Sequence, residues 1–217
     1  MMERSQIIVA AEAFVKEALS GEASGHDWYH VDRVRHMAVR LAQEEGADVF
    51  VCELAALLHD IADDKLNPSE EIGLSRLAAW LSQHPIDRHE TNHIVAIIRD
   101  MSFRGGTNRD RVLSLEGQVV QDADRLDAIG AIGIARTMAY AGHKGNAIHI
   151  PGQVVRRELT LEAYRNEEST AIAHFYEKLL LLKEMMNTAT GRRLAERRHA
   201  YMENFLSEFY AEWDGNC

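Results

Sequence analysis

The apolar residues of this chain recur at three- and four-residue intervals over most of its length, the spacing that lines them up on one side of an α-helix. Residues 49–62 are apolar on nearly every face, as in a central, buried helix. We find no strand pattern and no internal repeat, so we predict an all-α fold. The predicted helices cover about 3–19, 28–45, 49–62, 73–82, 87–99 and 115–140, followed by two between 160 and 213 that are separated at 188–191.

Glycine and proline mark the ends of these segments. Gly46 closes the second helix as a C-terminal cap, and Asp27 is placed to cap its beginning. Two loops are predicted, at 101–110 and 141–153, and the second contains three glycines and a proline. A loop of that length is long enough to have a functional role.

Composition narrows the class of protein. A formal net charge of -10 argues against nucleic acid or an anionic membrane as a partner. Cys52 lies in an apolar run and Cys217 is the last residue, so no disulfide framework is expected and a reducing, cytoplasmic setting is indicated. We expect a soluble protein without a targeting segment, and 217 residues fit one domain.

Three short segments concentrate metal-ligating side chains. His59 and Asp60 adjoin at the end of the most apolar helix, where a buried carboxylate costs several kcal/mol unless it is paired or bound to a metal. A lone His-Asp pair is more often a simple hydrogen-bonded pair. Here, however, His30 stands on the preceding helix and three acids interrupt the otherwise apolar segment 121–133. One imidazole, an adjacent His and Asp, and a further Asp from three helices would suit a divalent metal.

The segments HDWYHVDRV (26–34), LLHDIADDK (57–65) and DADRLDAIG (122–130) resemble, in this order, the three signatures of the HD-domain superfamily. GHKG and HFYEKLLLLKEMMNT add a resemblance to its bacterial YpgQ/YedJ subgroup of small hydrolases. The resemblance extends over most of 25–210. It implies an HD-type helical bundle as one domain over 1–217, with an HD core at about 25–140 and C-terminal helices at about 158–213 packed on it.

The implied metal ligands, assigned by motif position, are His30, His59, Asp60 and Asp124. Asp122 and Asp127 lie within two turns of Asp124 but point away by roughly 200° and 300° of helical rotation. Asp124 matches the superfamily's Ala-Asp position, so the resemblance favours Asp124 as the fourth ligand. Asp127 is expected to form a salt bridge, with Arg33 or Arg125 as the suggested partners.

Proton transfer and phosphate binding need further groups. Asp63 shares the predicted helical face of His59 and resembles the water-activating acid of related HD nucleotidases, with Asp64 as its rival. His26 is expected to orient the attacking water or to meet a phosphate. The expected substrate-binding residues are Lys65, His93, Arg99, His143 and Lys144. Each of these has the alternative of a solvated surface position.

The resemblance implies a metal-dependent phosphohydrolase that cleaves nucleoside or deoxynucleoside triphosphates to the monophosphate and pyrophosphate. It favours one Mn ion, with Mg, Ni, Co, Zn and Fe left open. A phosphomonoesterase, a cyclic-nucleotide phosphodiesterase and a nucleotide sensor without turnover remain alternatives, and a di-iron oxidative site would need further ligands. The stretch FYEKLLLLKEMM suits core packing or a homodimer face.

Overall fold

A computed structural model of the protein describes residues 3–20, 27–63, 66–101, 113–156 and 169–216. Across these ranges the regular structure is helical and contains no strand, which confirms the all-α prediction. Among them, no helix is both long enough and apolar enough to cross a bilayer. The helices are α1 (Arg4–Ala18), α2 (Trp28–Glu45), α3 (Val49–Leu58), α4 (Glu70–Ser82), α5 (Arg88–Met101), α6 (Leu115–Asp127), α7 (Gly130–Lys144), α8 (Ala171–Glu177) and α9 (Ala189–Trp213), with 3-10 segments at His59–Ala62 and Leu179–Met185.

The chain divides into two compact units, Met1–Asp124 and Arg125–Cys217. The first contains α1 to α5 and most of α6, and the second contains α7 to α9. Each is described here by itself. The prediction of one domain over 1–217 stays a prediction.

The first unit is organised around α3, as its uniformly apolar sequence predicts. Leu54, Leu57 and Leu58 are fully buried, and α1, α2 and α5 pack around them. Full burial of such a side chain stabilises the fold by about 1.5–3 kcal/mol. Because α3 ends at Leu58, this core leads directly into the His59–Asp60 pair.

Both predicted ends of α2 are confirmed. The Asp27 carboxylate accepts a hydrogen bond of 2.9 Å from the backbone N–H of His30, which caps the first turn. Gly46 follows the last residue in a left-handed conformation with φ of 76°, which glycine adopts without steric cost. His30 therefore lies in a turn whose geometry is set by the cap.

The predicted helix over 49–62 changes character before its end. The α-helix stops at Leu58, and His59–Ala62 continues as a tighter 3-10 segment. Helix α4 packs closely against this segment because Gly73 has no side chain. A Cβ at Gly73 would lie 2.7 Å from Ala62 Cα and 2.8 Å from the Ala62 carbonyl oxygen.

The predicted helix over 115–140 is wrong as a single element. It divides into α6 and α7, and the break falls at Gly130, whose φ of 77° is incompatible with a continuous right-handed helix. The loop prediction over 141–153 is wrong at its start, since α7 continues to Lys144 and ends at Gly145 with φ of 72°. His143 and Lys144 thus belong to the last turn of a helix.

In the second unit, Arg156, Arg192 and the buried Glu177 form hydrogen bonds between separate segments of the chain. Glu177 is nearly inaccessible to solvent, and the Arg156 guanidinium donates to both of its carboxylate oxygens at 2.8 and 2.9 Å. The Arg192 guanidinium donates to the backbone carbonyl of Met186 at 3.1 Å, where the second 3-10 segment ends. Phe175 and Leu179 are buried there, as the packing prediction for this stretch expected.

Candidate metal centre

The first side chain of the centre is His30, in the opening turn of α2. It is 1% exposed, and its ring lies 5.4 Å from that of His59 between centroids, in an edge-to-face arrangement. A buried imidazole needs polar partners for both nitrogens. Its Nε2 lies 3.7 Å from Asp60 Oδ2 and 3.5 Å from Asp124 Oδ1.

The His59 ring is oriented by the backbone that precedes it. Its Nδ1 lies 2.7 Å from the carbonyl oxygen of Ala56, and since a carbonyl only accepts, we assign the ring proton to Nδ1. Nε2 then presents a lone pair. Asp60 Oδ1 is 3.2 Å from this nitrogen, yet the buried Nε2 makes no well-aligned hydrogen bond with any described residue. Metal-ligating histidines have this arrangement, with one nitrogen held by a carbonyl and the other directed at the ion.

The donor atoms have the spacing that ligands of one ion have. Among the described residues, His30, His59 and Asp60 each offer a ligand atom within 4.8 Å of the other two. Two ligands at bond lengths near 2.1 Å on one ion lie about 3.0–3.4 Å apart. The nitrogen-to-oxygen distances of 3.2, 3.5 and 3.7 Å are close to that range. The residues present therefore fit a divalent cation.

The three acids of α6 differ in their surroundings. Asp124 faces His30 and is 41% exposed, so it stands at the accessible side of the cluster, outside the tightest group of three. Asp122 is fully buried. Asp127 is paired with Arg136 at 2.7 Å, a partner that the sequence analysis did not name. The Asp124 carboxylate is thus placed to share a cation with His30 Nε2, at 3.5 Å.

The electrostatics of the centre favour positive charge. Burial by itself lowers the pKa of His59, but the carboxylates of Asp60 and Asp124 and the Ala56 carbonyl outweigh it, with Asp63 adding to them, and the pKa is raised. With both imidazoles neutral, as metal ligation requires, the two carboxylates would leave two negative charges. A divalent cation would balance these charges.

The structure changes the geometric argument for Asp63. Asp63 follows the 3-10 segment in extended conformation, with φ of -61° and ψ of 141°, and so does not share a helical face with His59. Its carboxylate still acts on the His59 ring through space. The other two catalytic predictions, His26 and Asp64, and the substrate-binding prediction Lys65 lie outside the described residues.

Two of the remaining predicted substrate-binding residues, His93 and Arg99, have partners of their own. His93 Nε2 is 2.8 Å from the Ser114 hydroxyl, before the start of α6. The Arg99 guanidinium is exposed and paired with Asp100 at 3.0 and 3.1 Å. His143 and Lys144 lie in the second unit, exposed at the end of α7. Their contact with a substrate stays a prediction.

Sequence reasoning missed two residues that shape the centre. The Asn67 side chain is buried and bonded to the backbone just after Asp60, and Gly73 permits the approach of α4. The Asn67-Pro68 pair is typical of a turn. Its position shortly after an ended apolar helix was the available signal, because asparagine often bonds to nearby backbone in such turns.

The HD domain family model matches residues 27–129. YpgQ of Bacillus subtilis (strain 168) is 41% identical over 203 residues, which are 93% of this chain and 91% of that protein.

Solved structures give the same result. The crystal structure of Bacillus subtilis YpgQ in complex with ADP has 39% identity and a TM-score of 0.76, covering 94% of this chain and 97% of that one. An HD-superfamily hydrolase from Bacillus thuringiensis has 43% identity and a TM-score of 0.79, covering 98% and 99%. With its buried His30, His59 and Asp60, this chain belongs to the HD-domain superfamily of metal-dependent phosphohydrolases and resembles YpgQ within it.

Proposed function

We propose that this protein hydrolyses nucleoside or deoxynucleoside triphosphates to the monophosphate and pyrophosphate, at the centre formed by His30, His59, Asp60 and Asp124. The observation that carries the proposal is the buried His59 Nε2, which makes no hydrogen bond with a described residue and lies 3.2 Å from Asp60 Oδ1, beside the His30 ring. The nucleotide class is supported by the ADP complex of the YpgQ relative.

The residues of the centre are suited to distinct tasks. His30, His59, Asp60 and Asp124 would hold one divalent ion, with Mn preferred through resemblance and other N/O-binding metals as alternatives. When bound, such an ion supplies Lewis acidity that activates water and offsets phosphoryl charge. The Ala56 carbonyl keeps the His59 ring in one orientation and one tautomer.

In the proposed reaction, a water oxygen bonds to the α-phosphorus as the bond from that phosphorus to the bridging oxygen breaks. Pyrophosphate leaves with the electron pair. Asp63 receives the proton of the water, with Asp64 as the alternative base, and His26 orients the water or a phosphate oxygen. Lys65, His93, Arg99, His143 and Lys144 are proposed to offset the charge of the triphosphate.

The net charge of the protein also affects the approach of a charged substrate. The chain carries a net charge of -10, so a polyphosphate would be repelled at long range and must be held by local cations. The exposed position of Asp124, beside the buried ligands, provides the side from which a phosphate could enter. A nucleotide sensor would use the same entry and differ only in the absence of turnover.

The test is a hydrolysis screen with metal-free protein reconstituted separately with Mn, Mg, Co, Ni, Zn and Fe. A panel of nucleoside and deoxynucleoside triphosphates, cyclic nucleotides and phosphomonoesters would be assayed for pyrophosphate, phosphate and nucleotide products. We expect pyrophosphate from triphosphates, lost in Asp60→Ala and kept in the control Asp214→Ala, whose side chain is exposed at the end of α9.

Three outcomes would contradict the proposal. Inorganic phosphate from monoesters or opening of cyclic nucleotides would identify one of the other hydrolase activities. Tight binding of triphosphates without turnover in any metal form would identify a sensor. Two ions per chain with oxidised products would point to di-iron chemistry.

A further inference from the structure

The Asn67 side chain is bonded to the chain segment that leaves the metal centre. Asn67 is 9% exposed, and its amide nitrogen donates to the carbonyl of Ile61 at 2.7 Å and to the carbonyl of Asp63 at 2.9 Å. Both amide hydrogens are thus used. The last carbonyls of a helical segment have no partner within it, so this side chain satisfies two of them at the end of His59–Ala62.

The same segment is held from two other directions. The Asp63 backbone N–H donates to the Asp60 carbonyl at 3.0 Å, and the Leu66 N–H donates to the Asp63 carbonyl at 3.1 Å. On the outer side, the backbone of Gly73 in α4 leaves so little room that a Cβ there would lie 2.8 Å from the Asn67 amide nitrogen. The Asn67 side chain therefore lies between α4 and the backbone that follows the 3-10 segment.

These contacts act mainly on Asp63. His59 is oriented from the preceding side, through the Ala56 carbonyl, and does not depend on Asn67 for its ring position. Asp63, in contrast, follows the 3-10 segment in extended conformation, and its own carbonyl and that of Ile61 are the groups that Asn67 binds. Removal of the Asn67 side-chain amide would therefore disturb the conformation of Asp63 more than that of the metal ligands.

We propose that Asn67 is a positioning residue that holds Asp63 at a set place beside the His59–Asp60 pair. This inference rests on the proposed function, in which Asp63 receives the proton of the attacking water. Asn67 touches neither substrate nor metal in this role. It acts through the backbone of Asp63.

The first test is hydrogen exchange of the backbone amides of 60–63 and 66 in the full chain, without substrate. In Asn67→Ala the carbonyls of Ile61 and Asp63 lose the amide that donates to them. We therefore expect exchange there to accelerate by about tenfold or more, while α2 and α3 remain protected. Asn67→Ser, which keeps one donor, should give an intermediate rate. Asn204→Ala, an exposed asparagine on α9, is the matched control and should leave the segment unchanged. Unchanged exchange in Asn67→Ala would overturn the inference, whatever the activity of the protein.

The second test separates positioning from general destabilisation. We expect Asn67→Ala to lower kcat by about tenfold, to leave KM for a triphosphate close to its original value, and to keep Mn²⁺ affinity within about threefold. In an Asp63→Asn background the same substitution should change kcat by no more than about twofold, because its effect passes through Asp63. A full additional loss in that background, or a loss of Mn²⁺ affinity parallel to kcat, would overturn the inference.

The two tests distinguish failure of this inference from failure of the proposed function. If the unmodified protein hydrolyses no nucleotide, the proposed function fails, and the exchange measurement alone decides whether Asn67 holds the segment. If the protein is active and Asp63→Asn has full activity, the positioning inference fails while the hydrolase assignment stands.

Discussion

His59 Nδ1 lies 2.7 Å from the carbonyl oxygen of Ala56, three residues earlier in the chain, and this contact decides which nitrogen of the ring is available for a metal. Because the proton is committed to the carbonyl, Nε2 presents its lone pair toward Asp60. The change from α-helix to 3-10 helix occurs at His59, the same residue whose ring this contact orients.

Removal of the His59 imidazole should abolish the centre without unfolding the protein. We expect His59→Ala to lose bound Mn²⁺ and to lower turnover by at least about a hundredfold, since even residues that only orient a ligand contribute tenfold to a hundredfold. Helical circular dichroism should be largely kept. His36→Ala, at an exposed position of α2, is the matched control. Unchanged metal content and turnover in His59→Ala would remove the basis of the site.

Of the acids of α6, we expect Asp124 to bind the metal and Asp122 to stabilise the fold. Asp124→Asn should weaken Mn²⁺ binding with little change in melting temperature, because its side chain is 41% exposed. Asp122→Asn should lower the melting temperature, because Asp122 is fully buried and an amide replaces one of its two acceptor oxygens with a donor group. Metal titration and thermal unfolding of the two variants would check this. A reversed pattern would identify Asp122 as the ligand.

The close approach of α4 makes Gly73 sensitive to a single methyl group. Gly73→Ala should destabilise the protein by about 1–3 kcal/mol, because its Cβ would clash with the backbone of Ala62. Gly142→Ala is the matched control: it lies in α7 with no atom within 4 Å of an added Cβ, so helix propensity should make it neutral or stabilising by up to about 1 kcal/mol. Urea unfolding would compare them. Equal stability of the two variants would contradict the packing described at Gly73.

His174 should make the second unit sensitive to acid. Burial, together with the charges of Lys178 and Arg156, lowers the pKa of His174 to about 4 in spite of Glu177. The unfolded chain, with a histidine pKa near 6.5, then binds more protons than the folded chain between these values. The contribution of His174 to stability is complete above about pH 6.5 and is lost as the pH falls toward about 4.

For the partly accessible ring of His174, we expect this loss to be about 1–2 kcal/mol at about pH 5. In His174→Leu, the difference in unfolding free energy between about pH 7 and about pH 5 should shrink by that amount. His143→Leu, at an exposed position, should leave the difference as it is. The measurement compares differences between two pH values, so a cost of the leucine that is independent of pH cancels. An unchanged pH dependence in His174→Leu would show that the ring does not have a lowered pKa.

Much of the fold could be predicted because helical periodicity is a local property. The bounds of α2 followed from the cap at Asp27 and from Gly46, and both are confirmed because capping involves only neighbouring residues. Two of the wrong helix bounds occurred where glycine conformation decides. Gly130 divides the predicted helix over 115–140, and Gly145 ends α7 later than expected, and neither φ value can be read from residue type alone.

By itself, the sequence determined the helical class, the superfamily and the residue types of the centre, because these depend on short motifs and on the order in which they occur. Only the tertiary structure decided that His30, His59 and Asp60 bring their donor atoms within 4.8 Å, that Asp127 turns to Arg136, and that Asn67 and Gly73 enclose the segment after Asp60. Distances between side chains on separate helices depend on how those helices pack and where each one ends. Packing depends on the whole core at once, which no local pattern encodes.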